Sequence, residues 1–179
     1  MDYRLDKVLI SKEEIQKKIK ELGEQIAQDY KGEELICICV LTGAFVFLAD
    51  MVRAIGKEVD VKVDFMVISS YGSGTKSSGV VQIHKDLSNS IEGKHVLIIE
   101  DIIDSGLSLS YLIKLLGDRH PKSINVCVCF DKPDRRKKEI ETKYTGFIIP
   151  DEFVVGYGLD VAEKYRHLDA LYSVKAVAE

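Results

Sequence analysis

The groups best placed to do chemistry lie in one run, Val96-Leu97-Ile98-Ile99-Glu100-Asp101-Ile102-Ile103-Asp104-Ser105-Gly106-Leu107-Ser108-Leu109. An apolar strand-like stretch delivers three carboxylates, Glu100, Asp101 and Asp104, and a Ser-Gly-x-Ser turn follows before a helical stretch. Ligands of open α/β sheets bind at the carboxyl ends of strands, so the position suits a site. At the start of a helix, free backbone N–H groups and the dipole favour an anion. Gly106 lets the backbone approach closely, and Ser105 and Ser108 offer hydroxyls. That is a phosphate cradle needing no lysine. Carboxylates beside a phosphate repel it unless they face hydroxyls or a bridging Mg²⁺. Taken one at a time, these acids read as strand-end surface groups and the serines as plain helix caps. Taken as a run on strand, turn and helix, the site reading is the stronger.

The surrounding pattern supplies the elements that must hold this run. Leu35–Leu41, Val59–Ile68, Val80–Ile83, Val96–Ile99 and Ile124–Phe130 read as strands, with short ones at Phe147–Ile149 and Phe153–Val155. A capping box at Ser11-Lys12-Glu13-Glu14 opens an amphipathic helix with Ile15, Ile19, Leu22 and Ile26 on one face, ending near Lys31-Gly32. Ala44–Ile55 and Leu107–Leu116 read as two further helices. Strands apolar on both faces, alternating with helices, predict an α/β fold with a mostly parallel twisted sheet covered on both sides. With 179 residues, few prolines and no linker-like stretch, residues 1–179 read as a single domain. Cys37/Cys39 and Cys127/Cys129 sit in apolar runs at strand spacing, so each pair shares a face. Such spacing suits buried free thiols better than a zinc site.

The central run resembles the phosphoribosyl pyrophosphate motif of the type I phosphoribosyltransferases: four apolar residues, two acids, two apolar residues, then Asp-Ser/Thr-Gly-x-Ser/Thr. Val40-Leu41-Thr42-Gly43-Ala44-Phe45, Ser70-Tyr71, Asp131-Lys132-Pro133, Phe153-Val154-Val155-Gly156-Tyr157-Gly158-Leu159-Asp160 and Arg166 extend the likeness to the hypoxanthine and hypoxanthine-guanine branch, over almost the whole chain. The resemblance implies a sheet flanked by helices, with a small hood built from the terminal segments. It implies transfer of a phosphoribosyl group from phosphoribosyl pyrophosphate to a 6-oxopurine, in a Mg²⁺-dependent purine salvage reaction carried out by a homodimer or homotetramer.

It also implies roles. Glu100 and Asp101 hold the ribose hydroxyls, directly or through Mg²⁺. Asp104, Ser105, Gly106, Leu107 and Ser108 bind the 5′-phosphate, and Asp104 takes the proton from purine N7. Thr42, Gly43 and Arg166 bind pyrophosphate, with a cis peptide between Leu41 and Thr42. Lys132, Phe153, Val154 and Asp160 form the purine side: Lys132 meets O6, Phe153 stacks, Val154 offers main-chain contacts, and Asp160 holds a second Mg²⁺. Ser70 and Tyr71 stand at the base of a lid. Thr42 departs from the pattern, because many relatives carry a basic residue there, and Leu107 replaces a frequent lysine. Without the resemblance, Lys132 belongs to a basic run with Arg135, Arg136, Lys137 and Lys138 that reads as a solvated face. Phe153 and Val154 would likewise read as a short core strand.

Competing readings are weaker. Ser69–Gly79 is not a dinucleotide fingerprint, because strand-like residues follow it, and its Gly74-Thr75-Lys76-Ser77 has the wrong spacing for a Walker A loop. Its glycines and small polar residues suit a mobile lid, and the resemblance implies that this lid closes over the reacting centre and excludes water. A formal net charge of −4 argues against a protein that coats nucleic acid. It also opposes an RNA-binding regulator built on the same fold. A xanthine-preferring enzyme is a nearer rival. No stretch approaches the length of a membrane span and the first residues lack a signal-peptide plan, so a cytoplasmic protein is expected.

Overall fold

A computed structural model describes residues 2–70 and 81–177. In chain order the elements are β1 (Asp2–Ile10), α1 (Lys12–Asp29), β2 (Glu34–Leu41), α2 (Phe45–Ile55), β3 (Asp60–Ser70), β4 (Val81–Lys85), β5 (His95–Ile103), α3 (Leu107–Gly117), β6 (Ser123–Asp131), β7 (Tyr144–Ile148), β8 (Val154–Val155) and β9 (Leu171–Val177). A short 3₁₀ turn, Pro133–Arg135, follows β6.

Six strands form the main sheet in the order β4-β3-β2-β5-β6-β7. All neighbours run parallel except β3 and β4. Because side chains alternate across a strand, each strand feeds two cores. On one face Cys37, Cys39, Leu97, Ile99, Cys127 and Cys129 pack with α1 and α2, through residues such as Ile19, Leu22, Phe47 and Met51. On the other, Ile36, Ile38, Val96, Ile98, Val126 and Val128 pack with Leu109, Leu112 and Leu116 of α3. The four cysteines are free and buried. Burial pushes the Cys37 and Cys39 thiols up to about 12, so they stay protonated core groups.

α1 starts as its capping box requires: Glu14 N–H donates to Ser11 Oγ at 3.2 Å, and Ser11 N–H donates to the Glu14 carboxylate at 2.8 Å. The sheet order fixes where a ligand can sit. From β2 the chain crosses by α2 to β3 on one side; from β5 it crosses by α3 to β6 on the other. The direction of winding reverses between β2 and β5, and a crevice opens outside their carboxyl ends. A second sheet, β1-β9-β8, is antiparallel and made from both termini plus the segment after β7.

Two features differ from the sequence reading in a way that matters. β5 runs to Ile103, so Glu100 and Asp101 lie inside the strand, and only Asp104 comes after it. β1 and β9 are not foreseen as strands. Much of β1 is solvent-exposed and the end of β9 is too, so neither carries a buried-strand signal.

Candidate active site

Two cavities meet at the carboxyl end of β5. The larger, about 390 Å³, is bordered by Gly43, Asp101, Lys132, Phe153, Asp160 and Arg166, among others. The smaller, about 160 Å³, is bordered by Glu100, Ile103, Ser105, Gly106 and Ser108. Ile102 and Asp104 line both. The alternation of β5 explains the division: Glu100 faces the α3 side and Asp101 faces the side of α1 and α2.

The smaller cavity is formed by the turn into α3. Gly106 is the N-cap residue, with φ +78° and no side-chain cap, so neither serine serves as the cap. A Cβ at Gly106 would lie 2.5 Å from the Lys138 carbonyl oxygen. Glycine is therefore required both by the left-handed backbone and by the segment behind it. That segment is pinned there, because the N–H groups of Lys137 and Lys138 donate to Ser105 O at 2.9 and 3.1 Å. Leu107 opens α3 and makes only a long N–H contact, 3.4 Å, to Ser105 Oγ.

The larger cavity depends on close packing of three segments. The turn after β2 begins with a cis peptide between Leu41 and Thr42. A Cβ at Gly43 would fall 1.7 Å from Asp101 Oδ2, and one at Gly158 would fall 2.0 Å from the Gly43 carbonyl oxygen. Side chains at these points would push the β2 turn, the end of β5 and the loop after β8 apart. Thr42 is exposed beside Gly43. That later loop holds Tyr157, Ala162, Glu163 and Tyr165 at positive φ, a strained path that places Asp160 and Arg166. Arg166 donates to Gly158 O at 2.9 Å and pairs with Asp160 at 2.9 Å. Its Nε is buried with no partner.

The acids are held in costly surroundings. Burial, and then the neighbouring Asp101 carboxylate, push Glu100 well above the ordinary range. Burial lifts Asp101 to about 6, against the pull of the Ile102 N–H and the Arg166 guanidinium, while Asp160 adds to the rise. One oxygen each of Glu100 and Asp104 is buried without a hydrogen-bond partner. Buried carboxylate oxygens left bare are expensive, and a ligand offering hydroxyls, a proton or a cation would satisfy them.

Lys132 is 6% exposed, and its ammonium donates to Glu152 O at 2.5 Å. Burial lowers its pKa, with Asp104 acting in the opposite direction. Phe153 is 52% exposed at the cleft edge, its ring 5.4 Å from that of Tyr3. Val154 is buried in β8, paired with Ser173 of β9. Ser70 ends β3, and Tyr71, with the rest of the expected lid, lies outside the described residues.

A family model described as a phosphoribosyl transferase domain matches residues 10–162. The chain belongs to the phosphoribosyltransferase family. It is 52% identical over 168 residues to the hypoxanthine-guanine phosphoribosyltransferase of Bacillus subtilis, a match covering 94% of this chain and 92% of that protein. Its structure superposes on a crystal structure of the Staphylococcus aureus hypoxanthine phosphoribosyltransferase with a TM-score of 0.92 at 48% identity, covering 96% and 92% of the two chains. A ternary substrates complex of a mutant Trypanosoma cruzi hypoxanthine phosphoribosyltransferase gives a TM-score of 0.90 at 41% identity, covering 96% of each chain. The mostly parallel sheet, its flanking helices and the hood from the terminal segments match what the phosphoribosyltransferase resemblance implies.

Sequence reasoning misses Arg135 at this cleft. It borders the larger cavity and pairs with Asp104 and Asp151. The basic run is not simply a solvated face: Lys132 is buried, and Arg136 forms an ion pair with Asp131 with only 10% of its side chain exposed. A signal is present in the sequence. Pro133 favours a tight turn, and in a 3₁₀ turn residues three apart share a side, which brings Lys132 and Arg135 together.

Proposed function

We infer that this chain is a purine salvage enzyme. It transfers the 5-phosphoribosyl group from phosphoribosyl pyrophosphate to hypoxanthine and to guanine, giving the nucleoside monophosphate and pyrophosphate. One observation carries the assignment of roles: Asp104 belongs to both cavities, between a phosphate-sized pocket and a cleft holding Lys132 and Phe153. The 5′-phosphate would sit on Ser105, Gly106, Leu107 and Ser108, where α3 begins. The purine would lie against Phe153 with its edge at Val154. Lysine only donates hydrogen bonds, so Lys132 would select a 6-oxo group over a 6-amino group. Asp104 would then take the N7 proton as N9 bonds to the ribose carbon and pyrophosphate leaves. Gly43, Thr42 and Arg166 would hold the pyrophosphate, the first two through the main chain.

The donors also fit Mg²⁺. No set of three or more His, Cys, Asp or Glu side chains converges on a metal position among the described residues. Mg²⁺, however, takes one or two carboxylates and completes its shell with water and substrate phosphates. Glu100 and Asp101 on the ribose side, and Asp160 on the pyrophosphate side, are the residues that would hold it. The ion would neutralise charge on the phosphates. Ser70 and Tyr71 would stand at the base of the lid. The same reading makes the protein a single domain acting in the cytoplasm as a homodimer or homotetramer. No helix among the described residues is long and apolar enough to cross a membrane.

The decisive assay offers phosphoribosyl pyrophosphate and Mg²⁺ with hypoxanthine, guanine, xanthine, adenine and uracil in parallel. Nucleotide is expected from the first two, and absence of product with every purine would overturn the assignment. Asp104→Asn is expected to lower kcat by about 10²–10⁴ while nucleotide binding is retained. Near-normal turnover would remove Asp104 as the base. Lys132→Ala should cut kcat/KM for hypoxanthine by at least about tenfold, and an unchanged value would exclude the O6 contact.

A further inference from the structure

Asp104 uses its two oxygens differently. Oδ2 lies 3.4 Å from Arg135 Nη1, whereas Oδ1 is buried with no partner. Arg135 is held in turn by Asp151, 2.6 Å from its Nε. Asp151 begins the Asp151-Glu152-Phe153 stretch, whose Glu152 carbonyl accepts from Lys132. Arg135 thus joins the carboxylate to the strip that carries Phe153.

A carboxylate torsion is soft and roughly two-fold, so nothing intrinsic to aspartate decides which oxygen faces a substrate. A cation on one oxygen decides it. We propose that Arg135 is the positioning residue for Asp104: it fixes Oδ2, the oxygen of this 46%-exposed side chain that is not buried, at the edge of the larger cavity, where a remaining lone pair of Oδ2 accepts the proton, and Arg135 is itself braced by Asp151. The proposal rests on the reading of Asp104 as the base at purine N7. In the step it serves, the N9–ribose bond forms, the bond to pyrophosphate breaks, and the N7 proton passes to Oδ2. The ion pair is partly exposed, so its effect is moderate.

The test compares wild type, Arg135→Gln, Arg135→Lys and Asp151→Asn, each also combined with Asp104→Ala. Steady-state kinetics with hypoxanthine and phosphoribosyl pyrophosphate are the readout, and thermal melting checks folding. Arg135→Gln is expected to lower kcat about five- to twentyfold with both KM values within about twofold, by analogy with small misplacements of reacting groups. Lysine should restore part of the loss, and Asp151→Asn should cause a smaller loss of the same kind. In the Asp104→Ala background, Arg135→Gln should have no further effect, because paired residues are non-additive. An unchanged kcat in both Arg135→Gln and Asp151→Asn would overturn the proposal. So would an equal fold-loss in the two Asp104 backgrounds, which would show Arg135 acting elsewhere. A wild-type protein inactive with every purine would instead defeat the underlying assignment.

Discussion

Asp101 shows how the site strains the fold at the level of one residue. Its carboxyl is lifted to about 6 by burial, whereas an unfolded chain would titrate it near 4. Between those values the folded state binds more protons than the unfolded state. Stability from this group therefore falls as pH rises through the window and is lowest above about 6. Asp101→Asn, which cannot ionise, should melt higher than wild type at pH 7.5 in chelator, by about 2–6 °C, with the gap about halved at pH 5 and closed below about pH 4. A gap that widens on acidification would reverse the assignment of the shift to burial. Gly43 faces the same carboxylate, and Gly43→Ala would place its methyl within 1.7 Å of Asp101 Oδ2. Activity should drop by at least about 10²-fold, as expected when reacting groups are displaced by about 1 Å, and retained turnover would mean the β2 turn can yield. Glu100, Asp101 and Asp104 are legible in the sequence as a cluster because their types are unusual at the end of an apolar run. Their division between two cavities is not, since it depends on β5 continuing through them. Arg135 is hidden by four neighbouring basic residues that look alike in sequence.

At the scale of elements, the buried strands and the three helices can be read because each must hide apolar surface, and their patterns say how. β1 and β9 cannot, because they pair with each other largely away from the main cores, so hydrogen bonding rather than burial defines them. The crossing of α1 and α2 is a feature of contact rather than pattern. Gly23 of α1 meets α2 so closely that a Cβ would sit 2.6 Å from the Ala54 Cβ. Two effects compete in Gly23→Ala. Alanine favours a helix over glycine by about 1 kcal/mol, while overpacking costs about 1–3 kcal/mol. A 2.6 Å approach cannot be accommodated without moving a helix, so the second effect should win. Denaturant unfolding should show a net loss of up to about 2 kcal/mol, and a stabilised variant would mean that the helices slide apart freely.

For the whole molecule, the proposed assignment sets the two substrates against different sheets. The six-stranded sheet supplies the turn into α3, the acids and the β2 turn, whereas Phe153 and Val154 belong to the side of the larger cavity that borders the three-stranded hood. A main-chain bond ties the hood to Phe153: Val174 N–H of β9 donates to Phe153 O at 3.0 Å. Tyr3 of β1 adds ring contact from the other end of the chain. A link of this kind can be cut without touching a side chain of the site. Val174→Pro removes the N–H, and Val174→Ala keeps it while trimming the same side chain. β9 is the middle strand of the hood, so the proline should also disturb its pairing with β1 and β8. The main sheet has its own cores on both faces and should persist, so far-UV circular dichroism should stay close to wild type. The KM for hypoxanthine should rise roughly tenfold or more in Val174→Pro, about the worth of one hydrogen bond, while that for phosphoribosyl pyrophosphate stays within about twofold. Val174→Ala should change neither by more than about twofold. Parallel rises in both constants would mean that the hood supports the whole site, and no rise in either would mean that Phe153 needs no anchor from the termini.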